Sequence, residues 1–379
     1  MKNTRFFVLA LTVYFLLVSA CKESPNDGFE TIRITVDVSS NASFKLSQVI
    51  DSLSYLVLET KDESLIGRPS KVVYRSGRYF VGDSDIAQAI FVFSSDGSFE
   101  GKIQSMGQGP GEYMGMTDFC VDEMGQVIIY DGVKDKILLF NDAGEFVESI
   151  SVQNVVGDFI GILDDRNRFV LYSSYRTYQG KANLMELDDN GRVVKKHLFI
   201  DKNTNVDLTV SSIDLCGYSP NKIQFCQLYD NVAYRYENGF LHRSFEFDFG
   251  QYNLPKNYIV SNEISRRDPY CKVCYTRETE NCLYYCVNMQ DRMGLGFYMK
   301  SSKKNFFASN RLEKGNTPFI NDVDGMDFYN FYGSAQHRFF SFYEVSEILD
   351  NPVASEELRD VINGLEYEHN PILVSFYVH

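Results

Sequence analysis

The chain has 379 residues, with 51 Asp+Glu against 37 Lys+Arg, a formal charge of −14. That acidity excludes nucleic acid as a partner, because binding it needs a cationic surface that displaces counterions. It likewise excludes polybasic attachment to anionic lipid. Hydrophobic residues make up 44% and charged residues 23%, ordinary globular values that exclude wholesale disorder.

The chain opens with Lys2 and Arg5, then the apolar run from Phe6 to Ala20, broken only by Thr12, Tyr14 and Ser19. A membrane-spanning helix needs about 20 apolar residues. This run is shorter, N-terminal, and ends in small residues, as a signal peptide does. Leu17-Val18-Ser19-Ala20-Cys21 resembles the lipobox of bacterial lipoproteins. The resemblance implies that residues 1–20 are removed and that Cys21 is acylated as the mature N-terminus. More than one acyl chain is needed for firm attachment, and lipoproteins of this type carry more than one. Residues 21–30, including Lys22-Glu23-Ser24-Pro25-Asn26-Asp27-Gly28, read as a polar tether. The implied location is the cell envelope, on the outer membrane, with the periplasmic or surface side left open.

An internal repeat follows. Gly77–Asp83 precedes Phe93–Phe99; Gly125–Asp131 precedes Phe140–Phe146; Asn167–Ser173 precedes Leu187–Val193; Val232–Leu241 is a looser fourth copy. Each unit has an apolar run ending in Asp or Ser, then a second run ending in a polar turn with Gly. Those glycines stand at 97, 144, 191 and 239, spacings of 47, 47 and 48. Glycine serves such turns because positive φ costs it little. Fully apolar runs such as Ile137-Leu138-Leu139-Phe140 suit strands buried on both faces. An all-β repeat of 40–50 residues predicts a β-propeller with four-stranded blades. Residues 31–379 accommodate six elongated blades or seven at the observed spacing.

Further along, Tyr270–Asn288 and Gly294–Phe307 read as strands with hairpins, with a turn region over Tyr275–Asn281. A short helix is predicted near 355–364, capped by Ser355 with Glu356 and Glu357 in its first turn. Thr31–Asp37 alternates and Pro371–His379 is a terminal strand; these two are expected to meet in one blade.

Of eight cysteines, a lipidated Cys21 leaves seven: 120, 216, 226, 271, 274, 282 and 286. An odd number cannot all pair within one chain. The cluster Cys271-x2-Cys274-x7-Cys282-x3-Cys286 admits zinc, a cross-strand disulfide, or buried apolar thiols. Strand parity sends Cys271 and Cys274 to opposite faces and keeps Cys282 and Cys286 together.

Four segments resemble the NHL-like six-bladed β-propeller lipoproteins of Gram-negative bacteria, a largely uncharacterised family. Leu46–Thr60 followed by Glu63–Gly67 resembles that family's lead-in to the propeller. Gly107-Gln-Gly-Pro-Gly-Glu-Tyr113, Asn321-Asp-Val-Asp-Gly325 and Asn370-Pro-Ile-Leu-Val374 resemble further family strings. The resemblance runs from about residue 45 to the end and selects six blades over seven. It departs after Gly325, where Met326-Asp327-Phe328-Tyr329 replaces the family's Gly-Pro-x-Phe-Trp. It implies no agreed activity.

Gly107–Tyr113 lacks the Gly-Lys-Ser/Thr ending of a phosphate loop and reads as a rigid turn between blades, with Glu112 and Tyr113 as candidate loop-site residues. Asn321, Asp322, Asp324 and Asp327 are hard oxygen donors that invite calcium, though Phe331 stands where an EF-hand needs its glutamate; the same residues are also favoured turn formers. No cofactor is otherwise expected. No catalytic set is visible: His197, His242, His337, His369 and His379 form no paired-ligand spacing. Tyr172–Tyr178 and Tyr329–Tyr332 are aromatic loop segments suited to stacking on sugars or peptides, or to partial burial. The functional expectation is a membrane-anchored ligand-binding or protein-interaction propeller, with an outer-membrane transporter or surface protein as partner. An envelope hydrolase or lyase acting on glycans or peptides at the channel mouth is the alternative.

Overall fold

A computed structural model describes residues 30–40, 42–153, 155–164, 168–174, 182–201, 204, 215, 222–227, 229–237, 239–256, 258–261, 268–290, 292–311, 317–328, 330–352 and 354–379. Cys21, Cys216 and the signal and tether segments lie outside them. Among the described residues two strands precede blade 1, β1 (Ile32–Thr35) and β2 (Ile50–Leu56). Blade 1 is β3 (Lys71–Arg75), β4 (Arg78–Asp83), β5 (Ala89–Ser94) and β6 (Phe99–Ile103). Blade 2 is β7 (Met116–Val121), β8 (Val127–Asp131), β9 (Lys136–Phe140) and β10 (Phe146–Ser151). Blade 3 is β11 (Phe159–Asp164), β12 (Arg168–Tyr172), β13 (Ala182–Leu187) and β14 (Val193–Phe199). Blade 4 holds β15 (Ile223–Gln227), β16 (Val232–Glu237) and β17 (Phe240–Asp248), with β1 outside. Blade 5 is β18 (Lys272–Glu278), β19 (Cys282–Met289), β20 (Arg292–Met299) and β21 (Lys304–Arg311). Blade 6 is β22 (Gly333–Ala335), β23 (Arg338–Tyr343) and β24 (Ile372–Val378), with β2 outside. Six four-stranded sheets in a ring make a six-bladed β-propeller, as the repeat and the resemblance predict.

The repeat glycines are hairpin residues. Gly97, Gly144 and Gly191 turn the third strand into the fourth in blades 1 to 3, and Gly239 joins β16 to β17; their φ angles are +89°, +79°, +71° and +81°. By that hairpin, β15–β17 match the second to fourth strands of the other blades, and β1 adds beyond them, parallel to β17.

One expectation is corrected here. The strand at 31–37 does not meet the C-terminal strand: β1 pairs with β17, and the N-terminal partner of β24 is β2. The reason lies in their faces. β1 has one apolar face, with Ile34 and then Val36 set against Phe245 and Phe247, which suits an outer edge. β24 is buried on both faces and needs a partner delivered to blade 6, which the preceding 3-10 turn at Leu46–Gln48 does. The 275–281 turn region is also shorter than expected, since β18 runs to Glu278. The helix near 355 forms as Glu356–Val361, with Ser355 accepting from Leu358 N–H, and follows another at Val345–Asp350.

Polar contacts stitch the blades. Lys71 on β3 donates to Asp118 Oδ1 at 2.8 Å and to Phe119 O at 2.6 Å, and Asp118 Oδ2 accepts Ile160 N–H at 2.9 Å. One buried carboxylate thus touches blades 1, 2 and 3. Removing one partner of such a buried pair would leave an uncompensated charge in the interior. Ring closure between blades 6 and 1 rests on Val72 N–H donating to Tyr332 O at 2.8 Å. A Cβ on Gly333 would fall 2.0 Å from Val72 O, so the closing strands approach only because residue 333 has no side chain. Asn370 uses its amide in full: Oδ1 accepts Ile66 N–H at 2.9 Å, and Nδ2 donates to Glu59 O and Ser64 O at 3.0 and 2.9 Å.

Gly333→Ala is therefore expected to cost about 2–3 kcal/mol of folding stability by overpacking the closure. Urea denaturation measures it, and an unchanged midpoint contradicts this account of the seam.

Candidate functional site

One face of the ring, here the upper face, carries the segments that lead into each blade and the turns from second to third strands. Over blades 1 and 2 it is built on two buried carboxylates. Asp83 ends β4. Its Oδ2 accepts Gly67 and Arg68 N–H, each at 2.8 Å, and its Oδ1 accepts Ile86 N–H at 2.8 Å. Asp131 ends β8. Its Oδ2 accepts Met114 N–H at 2.8 Å, and its Oδ1 accepts Val133 and Lys134 N–H at 3.0 and 3.1 Å. Each aspartate therefore ties the segment entering its blade to the turn leaving its second strand. Both are fully buried, where an unpaired polar group is costly and a paired one fixes geometry. These are the residues that end the apolar runs of the sequence repeat.

The segments so held present apolar side chains to solvent. Leu65, Ile86, Met106, Met114 and Val133 are between 37% and 64% exposed. The loops that carry them are packed on this face: Ile86 lies against Gly67, Met106 bridges to Tyr113, and Val133 lies against Gly115. Glu112 turns back into its own loop, with Oε2 accepting Gly109 N–H at 2.7 Å. Tyr113 is buried beneath, its hydroxyl donating to Gln88 O at 2.5 Å, and burial raises it to about 12. Gln88 Oε1 in turn accepts Met116 N–H at 2.7 Å. Glu112 and Tyr113 thus hold the loop from within, and the exposed side chains around them form the surface. Sequence reading missed this arc because its members come from four separate segments.

The 321–327 segment lies elsewhere, wedged between blades 5 and 6. Asn321 Oδ1 accepts Val323 and Asp324 N–H at 3.1 and 3.3 Å, and its Nδ2 donates to Asp324 Oδ1 and Met326 O at 2.5 and 2.7 Å. Asp324 also accepts Tyr55 O–H at 2.9 Å; burial pushes its carboxyl above the ordinary range. Asp322 accepts Ser47 N–H and O–H at 3.0 and 2.8 Å, and Asp327 accepts Thr317 N–H at 3.2 Å. Asn321 and Asp324 form a knot that reaches Tyr55 on β2, Asp322 holds Ser47 of the lead-in segment, and Asp327 holds Thr317. Among the described residues no group of three or more His, Cys, Asp or Glu is placed to hold a metal. Tyr172 is core, and Tyr332 packs half-buried on Phe342 at 5.3 Å; residues 175–181 and Tyr329 lie outside the described residues.

A second polar cluster sits in the turn after β15. Asp230 accepts Tyr234 O–H at 2.8 Å, Gln227 Nε2–H at 3.1 Å and Val232 N–H at 3.0 Å. Gln227 Oε1 accepts Asn183 Nδ2–H at 3.2 Å, reaching blade 3. Burial dominates and raises the Asp230 carboxyl to about 7, although these hydrogen bonds pull the other way. A carboxyl titrating near neutrality is suited to proton transfer. The signal in the sequence was its place in the repeat, in the turn that Asp83 and Asp131 open in blades 1 and 2.

Residues 29–377 match a family described as a domain of unknown function, DUF4934, and the chain belongs to that family. No curated protein matches the chain. Among solved structures, a Bacteroides fragilis protein described as exported is similar over 92% of this chain and all of its own, at 19% identity and a TM-score of 0.76. A DUF4221 family member from Bacteroides vulgatus is similar over 87% of this chain and 97% of its own, at 10% identity and a TM-score of 0.53. At these identities the likeness is one of fold.

Two outcomes follow from the carboxylates. Asp131→Ala leaves three amides without their acceptor and is expected to cost about 3 kcal/mol, read as a lowered denaturation midpoint; a loss under about 0.5 kcal/mol contradicts the assigned role. For Asp230, the folded protein holds the proton more tightly than the unfolded chain, whose value is about 3.9. Its stabilising contribution is therefore full below about pH 4 and is lost as pH rises toward 7. Asp230→Asn is expected to flatten that part of the Tm profile, and an unaltered slope counts against the raised value.

Proposed function

We propose that this chain is a lipid-anchored cell-envelope propeller that docks a protein partner on its upper face. The observation that carries the reading is the apolar arc of Leu65, Ile86, Met106, Met114 and Val133, exposed yet held in place by Asp83 and Asp131. Exposed apolar residues gathered on the neighbouring loops of one rigid face support an interaction surface. Two of the five are methionines, whose flexible thioethers adapt to a partner's shape. A rigid ring with functional loops is the usual arrangement for recognition.

The anchor rests on Cys21 and the small residues before it, and on the resemblance to NHL-like envelope lipoproteins. Likeness to a Bacteroides protein described as exported supports a site outside the cytoplasm. Among the described residues no helix is long and apolar enough to cross a membrane. The partner class that fits is an outer-membrane transporter or another surface protein.

A second reading, an envelope hydrolase or lyase acting on glycans or peptides at the channel mouth, is favoured by one observation: the Asp230 carboxyl at about 7 beside the Tyr234 hydroxyl. It predicts turnover that Asp230→Asn abolishes.

Crosslinking in native membranes followed by gentle solubilisation tests the first reading. A partner is expected to co-purify in stoichiometric amount, and Met114→Asp with Val133→Asp is expected to cut its recovery roughly tenfold. Asp230→Asn is expected to leave recovery unchanged. Recovery that is indifferent to the Met114 and Val133 changes overturns the upper-face reading. Cys21→Ser is expected to move the protein from the membrane to the soluble fraction; retention on the membrane removes the lipid anchor.

A further inference from the structure

Strand β18 carries one residue more than β19 can pair. Val273 is opposite Val287 and Tyr275 is opposite Cys286, so Cys274 sits in a bulge between those pairs. A bulge sets two residues of one strand against one of its partner. Here it brings Cys274, Tyr275 and Cys286 to the side that faces blade 6, while Val273 and Val287 face blade 4. The bulge sets Cys274 beside Cys286 in the same packed cluster, and the two thiols interact electrostatically. Cys274 is half-buried and Cys286 buried.

We propose that Cys274 and Cys286 are a redox-active dithiol, with Cys274 attacking an incoming disulfide and Cys286 resolving it. In the first step the Cys274 sulfur bonds to one sulfur of the incoming disulfide, and the other sulfur leaves as a thiolate. The Cys286 sulfur then bonds to Cys274 Sγ and expels the second thiolate. The two protons of the pair pass to the departing thiolates. Two electrons move from the pair to the incoming disulfide, which ends as two thiols, and a disulfide spans the bulge. The oxidant is a small-molecule or protein disulfide.

The surroundings suit these roles. The Cys286 S–H, the Asn288 N–H and the Lys272 ammonium all favour the Cys274 thiolate and lower its pKa. The Cys274 sulfur beside it and burial raise that of Cys286. A partly exposed low-pKa thiol beside a resolving cysteine is the arrangement of redox-sensitive pairs. The other described cysteines, 120, 226, 271 and 282, are buried. Cys226 also lies close to Cys274 but belongs to the blade 4 side, its Sγ set against Val273 O at 3.7 Å. The proposal stands independently of what the upper face docks.

The test exposes the folded full chain to oxidised glutathione, blocks remaining thiols by alkylation, and maps the cysteines by mass spectrometry. Trypsin separates Cys274, on the 273–277 peptide, from Cys282 and Cys286, on 278–292. The expected product is a link from Cys274 to Cys286, with Cys282 alkylated after denaturation. Cys286→Ser is expected to hold a stable glutathione adduct on Cys274, and Cys274→Ser to yield neither adduct nor link. Wild-type protein in which both residues remain alkylatable after oxidation overturns the proposal. So does a link from Cys274 to Cys226. The wild-type map requires no variant to fold.

Discussion

A carboxylate buried at the end of a blade's second strand, satisfied by backbone amides from two segments, is the constraint on which the upper face depends. Asp83 and Asp131 each gather amides from the segment that enters the blade and from the turn that leaves its second strand. Loop backbone has no ladder to complete, so its polar groups must find other partners. A charged acceptor at the blade edge supplies them and converts surface loops into parts of the scaffold. That fixity is what lets Ile86 and Val133 stay in solvent in a defined place instead of collapsing onto the ring.

The ring itself is held by a different device. Blade 6 takes its outer strand from the N-terminal segment, so first and last parts of the chain are locked together. Three of the four segments that resemble a known family lie at this seam, while Gly107–Tyr113 lies on the upper face. Asn370 binds the 59–66 segment, and the 321–326 run binds Ser47 and Tyr55. Those three strings therefore mark how the propeller closes. The surface proposed to bind a partner is assembled mainly from residues outside them, and this is why the resemblance conveys architecture and leaves the ligand open.

The sequence disclosed what local physics determines. Positive φ at four hairpins required glycine or tolerated it, so the period was legible. Ser355 and two glutamates announced a helix that forms one residue later. Non-local pairing was not legible. The alternation of 31–37 describes an edge strand, but nothing in it names β17 as the partner. Cys274 had the parity expected of it; the bulge that sets Tyr275 on the same side was hidden. The carboxyl of Asp230 owes its shift to burial by other segments, and the apolar arc exists only once four loops are brought together. The oxygen-rich 321–327 run had the right chemistry for a cation, yet its oxygens are engaged by Ser47, Tyr55, Thr317 and the run's own amides.

Amide hydrogen exchange of the folded chain tests the central claim most directly. If Asp83 and Asp131 hold the upper face, the amides of Gly67, Arg68, Ile86, Met114 and Val133 exchange slowly, at rates approaching those of the adjoining strands, although several of the side chains they carry are exposed. Fast exchange at these positions beside protected strands would show loops free of the carboxylates and would contradict the account.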